Sequence, residues 1–192
     1  MLGLKFETNT SWTEVAKNGL HQLLTDHAFL EQKAASNAVS IIINYPEETE
    51  LVKTMSDIAI EEMEHFKQVH ELMIQRGMTL GREQSNDYAL HLRRFFKGGN
   101  RVDQLVHRLL YAALIEARSC ERFKVFSEHI DDPELAAFYK DLMASEAGHY
   151  VTFLNFARTY GGREAVDKKW QDLLNYEAEY MKGRGSKAKV HG

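Results

Sequence analysis

The chain has 192 residues, 27% charged and 44% hydrophobic, which fits one soluble globular domain with enough length to bury a core. A net charge of −4 and a pI near 6.1 give no whole-molecule attraction for nucleic acid, so such a partner would need a local basic patch. The single cysteine, Cys120, excludes an internal disulfide, and no apolar run reaches the roughly 18–20 residues that cross a membrane.

Only two prolines and 12 glycines interrupt the chain, a breaker-poor composition that favours long helices. The N-terminal MLGLKFETNTSW lacks a basic region followed by an apolar core, so a cytoplasmic location is expected. Ser11-Trp12-Thr13-Glu14 has capping-box spacing and predicts a short lead-in helix. Thr25 or Asp26 is expected to cap a long helix running to about Asn44, with Leu20, Leu24, His27, Glu31, Ala34, Ala38 and Ile42 on one stripe. Pro46 marks a turn. The next helix is expected from about Glu47 to Arg76, ended by Gly77, with Leu51, Met55, Ile58, Glu62, His65, Val69 and Leu72 aligned. A short helix is expected around Asn86 to Lys97. A third long helix follows from about Arg101 to Ile130, with Val106, Leu109, Ala113, Glu116, Cys120 and Phe123 aligned. Asp131-Asp132-Pro133 opens a fourth, which runs to about Tyr160 with Leu135, Leu142, Glu146, His149 and Phe153 on its stripe. A fifth, about Glu164 to Lys182, leads into an expected loose basic tail, GRGSKAKVHG.

Two Glu-x-x-His motifs lie on these apolar stripes: Glu62 with His65, and Glu146 with His149. With 19 glutamates and 9 histidines, bare matches are expected by chance about once, so the motifs alone say little. Their weight comes from position. Each sits mid-helix on a buried stripe, and each follows a stripe glutamate one helix earlier, Glu31 or Glu116, at nearly equal distance. Residues three apart are neighbours on a helix face, so one helix offers a carboxylate and an imidazole to the same ion. Four buried carboxylates would repel one another, and two divalent cations would offset that charge. The pattern therefore predicts an all-α, ferritin-like four-helix bundle, with the short lead-in helix and an additional C-terminal helix. It spans residues 1–192 as a single domain, with a bundle core at about 25–160 and the C-terminal helix and basic tail at about 163–192. Glu31, Glu62, His65, Glu116, Glu146 and His149 are the expected ligands. Glu62 and Glu146 are expected to bridge the metals, Glu31 with His65 to terminate one, and Glu116 with His149 the other. An oxygen and nitrogen donor set without thiolate suits two iron ions, or manganese, better than structural zinc.

His27, one turn before Glu31, reads as a satisfied core histidine, and Cys120 as an inert buried thiol. Glu61 and Ser145 are candidates to hydrogen-bond the histidine of the opposite motif. His70, His107 and His129 read as structural. The stretch HLRRFFKGGNR, residues 91–101, sets Arg93, Arg94, Lys97 and Arg101 around Phe95 and Phe96. Basic residues interleaved with aromatics suit phosphates and unpaired bases.

The ligand pattern resembles the ferritin-like diiron carboxylate superfamily over about residues 25–160. IEARSCERF at 115–123, after Gly-Gly-Asn-Arg and before Tyr160-Gly161-Gly162, is similar to the bacterial tRNA hydroxylase family of MiaE type. That resemblance implies a diiron monooxygenase that uses dioxygen and an external electron-donor protein. Its substrate would be 2-methylthio-isopentenyl-adenosine beside the anticodon of tRNA, hydroxylated on the isopentenyl group, and the six ligands match position by position. It also makes Arg93, Arg94, Lys97 and Arg101 candidate contacts to the anticodon loop. The alternatives are a bacterioferritin-like protein that stores iron or detoxifies peroxide, with Met63 after the first motif glutamate, and a metal-stabilised bundle acting as an interaction module.

Overall fold

The computed structural model describes residues 2–85, 87–184 and 187–191. Among them the regular structure is helical throughout: α1 (Ser11–Asn18), α2 (Leu20–Asn44), α3 (Thr49–Gln75), α4 (Asp87–Arg93), α5 (Arg101–His129), α6 (Pro133–Gly161) and α7 (Arg163–Met181). The long helices fall where the apolar stripes predict them, and no helix is long and apolar enough to cross a membrane. The chain divides into two compact units, one of residues 19–85 and the other of residues up to 18 and from 87 onward.

In the first unit α2 and α3 pack along each other. Every residue of the α3 stripe is buried, Glu62 and His65 included. Gly77, at φ +68°, ends α3 in the left-handed region that glycine adopts without steric cost. Helix α2 begins at Leu20, five residues before its expected start, because Leu23 and Leu24 are buried helical residues. Thr25 caps nothing; its hydroxyl instead accepts from Gly81 N at 3.3 Å, tying down the chain after α3. The α2 stripe is also rotated at places. Leu20, Ala34 and Ile42 are only half-buried, whereas Leu23, Ala35 and Ile41 are buried.

In the second unit α5 and α6 form the principal pair, with α1 and α7 against them. Helix α1 is held by Asn9, whose side chain accepts from Ser11 N at 2.9 Å, so Ser11 is the first helical residue and not the cap. Asn100 and Asp103 form a reciprocal capping box at the start of α5. The Asp132 carboxylate accepts from Leu135 N at 3.0 Å at the start of α6, with Pro133 in its first turn. Gly161 is required by close packing: a Cβ there would lie 2.7 Å from Val166 and 2.9 Å from Val106, joining the ends of α6, α5 and α7. Helix α4 stops at Arg93, shorter than expected; its expected first residue, Asn86, lies outside the described residues.

All six expected stripe positions of α5, Val106, Leu109, Ala113, Glu116, Cys120 and Phe123, are buried, but its burial is not confined to that stripe. Residues 116–123 are buried without interruption, Arg118, Glu121 and Arg122 among them. Arg118 donates to Glu177 Oε1 through Nε at 2.9 Å and Nη2 at 2.7 Å, to Glu121 Oε2 through Nη1 at 3.0 Å, and to Phe6 O at 3.1 Å. Thr8 closes on Glu121 through its backbone N–H and its hydroxyl, both at 2.7 Å, and Tyr88 donates to Glu177 at 3.1 Å. Arg122 lies 4.3 Å above the Trp12 ring. Opposite charges buried at hydrogen-bond distance offset their own desolvation, which lets so polar a segment sit inside.

Contrary to expectation, the tail is not loose over residues 187–191, although Gly185, Ser186 and Gly192 lie outside the described residues. Ala188, Lys189, Val190 and His191 are buried. The Trp12 indole donates to Lys187 O at 3.2 Å, and the His191 ring lies 3.0 Å from the Ser119 hydroxyl and stacks on Tyr88 at 5.2 Å. Two apolar residues and an aromatic ring outweigh the basic character that suggested a solvated tail.

Candidate metal centre

Helices α2 and α3 deliver three of the expected ligands together. Glu31, Glu62 and His65 are 4%, 0% and 6% exposed, and each places a ligand atom within 4.8 Å of the others. His65 Nδ1 faces both carboxylates, at 3.5 Å from Glu62 and 3.9 Å from Glu31. The other ring nitrogen, Nε2, lies 4.0 Å from Glu61 of the same helix, too far for a hydrogen bond. The i,i+3 spacing of Glu62 and His65 brings them onto one face, and the α2–α3 packing brings Glu31 to it.

His27 is part of this group. Its Nε2 lies 2.5 Å from Glu31 Oε1, one helical turn away. Burial pushes its pKa down to about 3, with His65 adding to the effect and Glu62 opposing it. The ring is therefore neutral at pH 7 and donates Nε2–H to the Glu31 carboxylate, which orients that carboxylate. A core histidine was legible from the stripe; its bond to a ligand residue was not, although the i,i+4 spacing is the signal for it.

The arrangement can take a divalent cation. Two carboxylates this close in a buried place repel each other, and an imidazole nitrogen completes an oxygen and nitrogen donor set. A metal ion offsets the repulsion and uses the donor atoms as they stand.

In the other unit, α5 supplies Glu116 and α6 supplies Glu146 and His149, all buried. Cys120 lies one turn after Glu116 on α5, against the part of α6 that carries Met143, three residues before Glu146. The Cys120 thiol donates to Met143 O at 3.3 Å, and burial, followed by Glu146, pushes its pKa up to about 12. Cys120 should therefore resist a thiol-reactive probe at pH 8 in the native chain and react fully in denaturant. Rapid modification of the native chain would contradict this burial.

Arg93, Arg94, Lys97 and Arg101 are all exposed. Arg93 lies over the Tyr111 ring at 5.6 Å, and Tyr111 in turn senses Glu116. The tail cations are engaged within the chain: Lys182 with Glu179 at 2.6 Å, Lys187 with Asp87 at 3.7 Å, and Arg184 over Tyr180 at 3.9 Å. Tyr111 was missed by sequence reading, because a tyrosine on a long helix carries no pattern of its own.

Comparison with solved structures finds "Protein 43 with aldehyde deformylating oxygenase activity from Synechococcus", with a TM-score of 0.91 and 35% identity, over 98% of this chain and 95% of that one. Fold and buried donor set together define a ferritin-like oxidoreductase with a buried carboxylate–histidine cluster that can hold a metal ion. The sequence carries the assignment further. The family model described as tRNA-(MS[2]IO[6]A)-hydroxylase (MiaE) matches residues 2–192, and the chain belongs to that family. A Pseudomonas putida relative named tRNA 2-(methylsulfanyl)-N(6)-isopentenyladenosine(37) hydroxylase is 38% identical over 96% of this chain and 89% of its own length. A Salmonella typhimurium relative of the same name is 34% identical over 57% of this chain and 40% of its own length.

Proposed function

We propose that this chain hydroxylates the isopentenyl group of 2-methylthio-isopentenyl-adenosine beside the anticodon of tRNA, in the cytoplasm. Residues 1–192 act as one ferritin-like diiron domain. Glu31, Glu62, His65, Glu116, Glu146 and His149 hold two iron ions, with manganese the other metal this donor set suits. The observation that carries the reading is the buried cluster of Glu31, Glu62 and His65 in a member of this hydroxylase family.

When bound, the two irons supply the two-electron oxidation of a C–H bond by dioxygen, with an external donor protein providing the electrons. The chain's own residues set the conditions. Glu31, Glu62 and His65 from α2 and α3, with Glu116, Glu146 and His149 from α5 and α6, would hold the metals through carboxylate oxygens and imidazole nitrogens. His27 keeps the Glu31 carboxylate oriented through its Nε2–H. The Cys120 thiol is buried and directed at Met143 O. Arg93, Arg94, Lys97 and Arg101 contact backbone phosphates of the anticodon loop, whose unpaired bases need no extraction from a duplex.

The test is turnover. Reduced, iron-loaded chain is given isopentenylated tRNA and dioxygen, and the nucleosides are analysed by mass spectrometry. One added oxygen atom on the modified adenosine is expected. No added oxygen with the metal centre intact would overturn the reading.

A further inference from the structure

Beside the Phe95-Phe96-Lys97 segment lies a cleft of about 410 Å³, lined by Phe96, His107, Lys168, Lys169 and Asp172 among others. That volume lies within the roughly 300–1,000 Å³ of clefts that take small organic ligands. Its chemistry is specific. Phe96 packs on His107 at 5.1 Å and edge-on against Phe95 at 5.2 Å, so its ring is fixed by its neighbours. Lys169 donates to His107 Nε2 at 2.8 Å. That bond keeps His107 an acceptor and aims the ammonium group, leaving two of its three protons for another partner. Among the described residues, Lys97 and Lys168 form no ion pair. The one acidic side chain, Asp172, can accept from an exocyclic amine or a ribose hydroxyl.

We infer that this cleft is a nucleotide subsite for single-stranded RNA: an unpaired base stacks on Phe96, and the phosphate beside it is bound by Lys168 and Lys169. This rests on the tRNA reading above and deepens it. His107 and Glu116 share α5 and are nine residues apart, roughly 13 Å along the helix axis. Between them stands Tyr111 with Arg93 over its ring. The subsite therefore takes a nucleotide of the anticodon loop other than the modified adenosine. It uses α7 as well as the basic stretch at 91–101, which extends the RNA footprint to a helix with no nucleic-acid pattern in its sequence.

The experiment measures binding of a fluorescently labelled anticodon stem-loop RNA to the full chain by anisotropy at several salt concentrations. The double charge reversal K168E/K169E should weaken binding about tenfold or more and flatten the salt slope by about one to two. F96A should weaken it roughly 5- to 100-fold, the range set by stacking of one base on an aromatic ring. K140E, an exposed reversal on α6, should leave it unchanged. Unaltered binding by both cleft variants would overturn the inference, as would an equal loss with K140E, which would mean non-specific charge attraction. Binding of AMP or inorganic phosphate alone as tight as that of RNA would overturn it in favour of a free-phosphate site. Turnover separates the two readings. Wild-type hydroxylation with cleft variants that bind normally removes the subsite alone; RNA binding lost in those variants without wild-type hydroxylation removes the tRNA hydroxylase reading alone.

Discussion

Glu62→Ala should lower the iron bound per chain, and turnover should fall by more than about 100-fold, beyond the loss typical of a residue that only supports a ligand. The argument is geometric. Glu62 is fully buried, its carboxylate faces His65 Nδ1 at 3.5 Å, and it shares the cluster with Glu31. The isosteric Glu62→Gln separates metal binding from shape. In the metal-free chain it removes one of two neighbouring buried negative charges, so the melting temperature should hold or rise. In the iron-loaded chain it removes an anionic ligand, so the stabilisation gained from iron should shrink. Metal analysis and paired melting curves with and without iron check both halves. Unchanged iron content in the two variants would remove Glu62 from the ligand set.

Arg118→Ala should cost about 3–5 kcal/mol, the range found when one partner of a buried ion pair is deleted. For a chain of this length that lowers the melting temperature by on the order of 10 °C. Arg118 is fully buried and bonds Glu177, Glu121 and the Phe6 carbonyl at once. Removing it leaves two buried carboxylates without their cation, with only Thr8 and Tyr88 still donating to them, and frees the Phe6 carbonyl. Denaturant unfolding measures the loss. A cost below about 1 kcal/mol, the level of an exposed pair, would show that the cluster opens to water in solution.

Both predictions bear on what the sequence discloses. Periodicity was enough for the α3 stripe, where all seven expected positions are buried, because the buried residues of α3 keep to one helical face. It was enough for the burial of all six expected ligands as well. On α5 it placed the six stripe residues but not the burial around them. A helix buried on most sides carries no clean period, and Arg118, Glu121 and Arg122 look like a solvent face until their partners Glu177, Thr8 and Trp12 are known. Those partners lie 50 or more residues away, so local pattern cannot supply them. The tail failed for the same reason: composition suggested solvent, whereas Trp12, Ser119 and Tyr88 bind it. The start of α2 was misplaced because Thr25 has the chemistry of a cap and uses it on Gly81 instead.

The uninterrupted burial of residues 116–123 also has a kinetic consequence. Backbone amides in such a segment exchange with solvent only through large-scale opening, and here that opening must break the Arg118 ion cluster. The amides around Glu116 should therefore be among the slowest to exchange in the metal-free chain. Iron reaching Glu116 would meet a backbone already set, and uptake there would need a side-chain turn with no refolding of the helix.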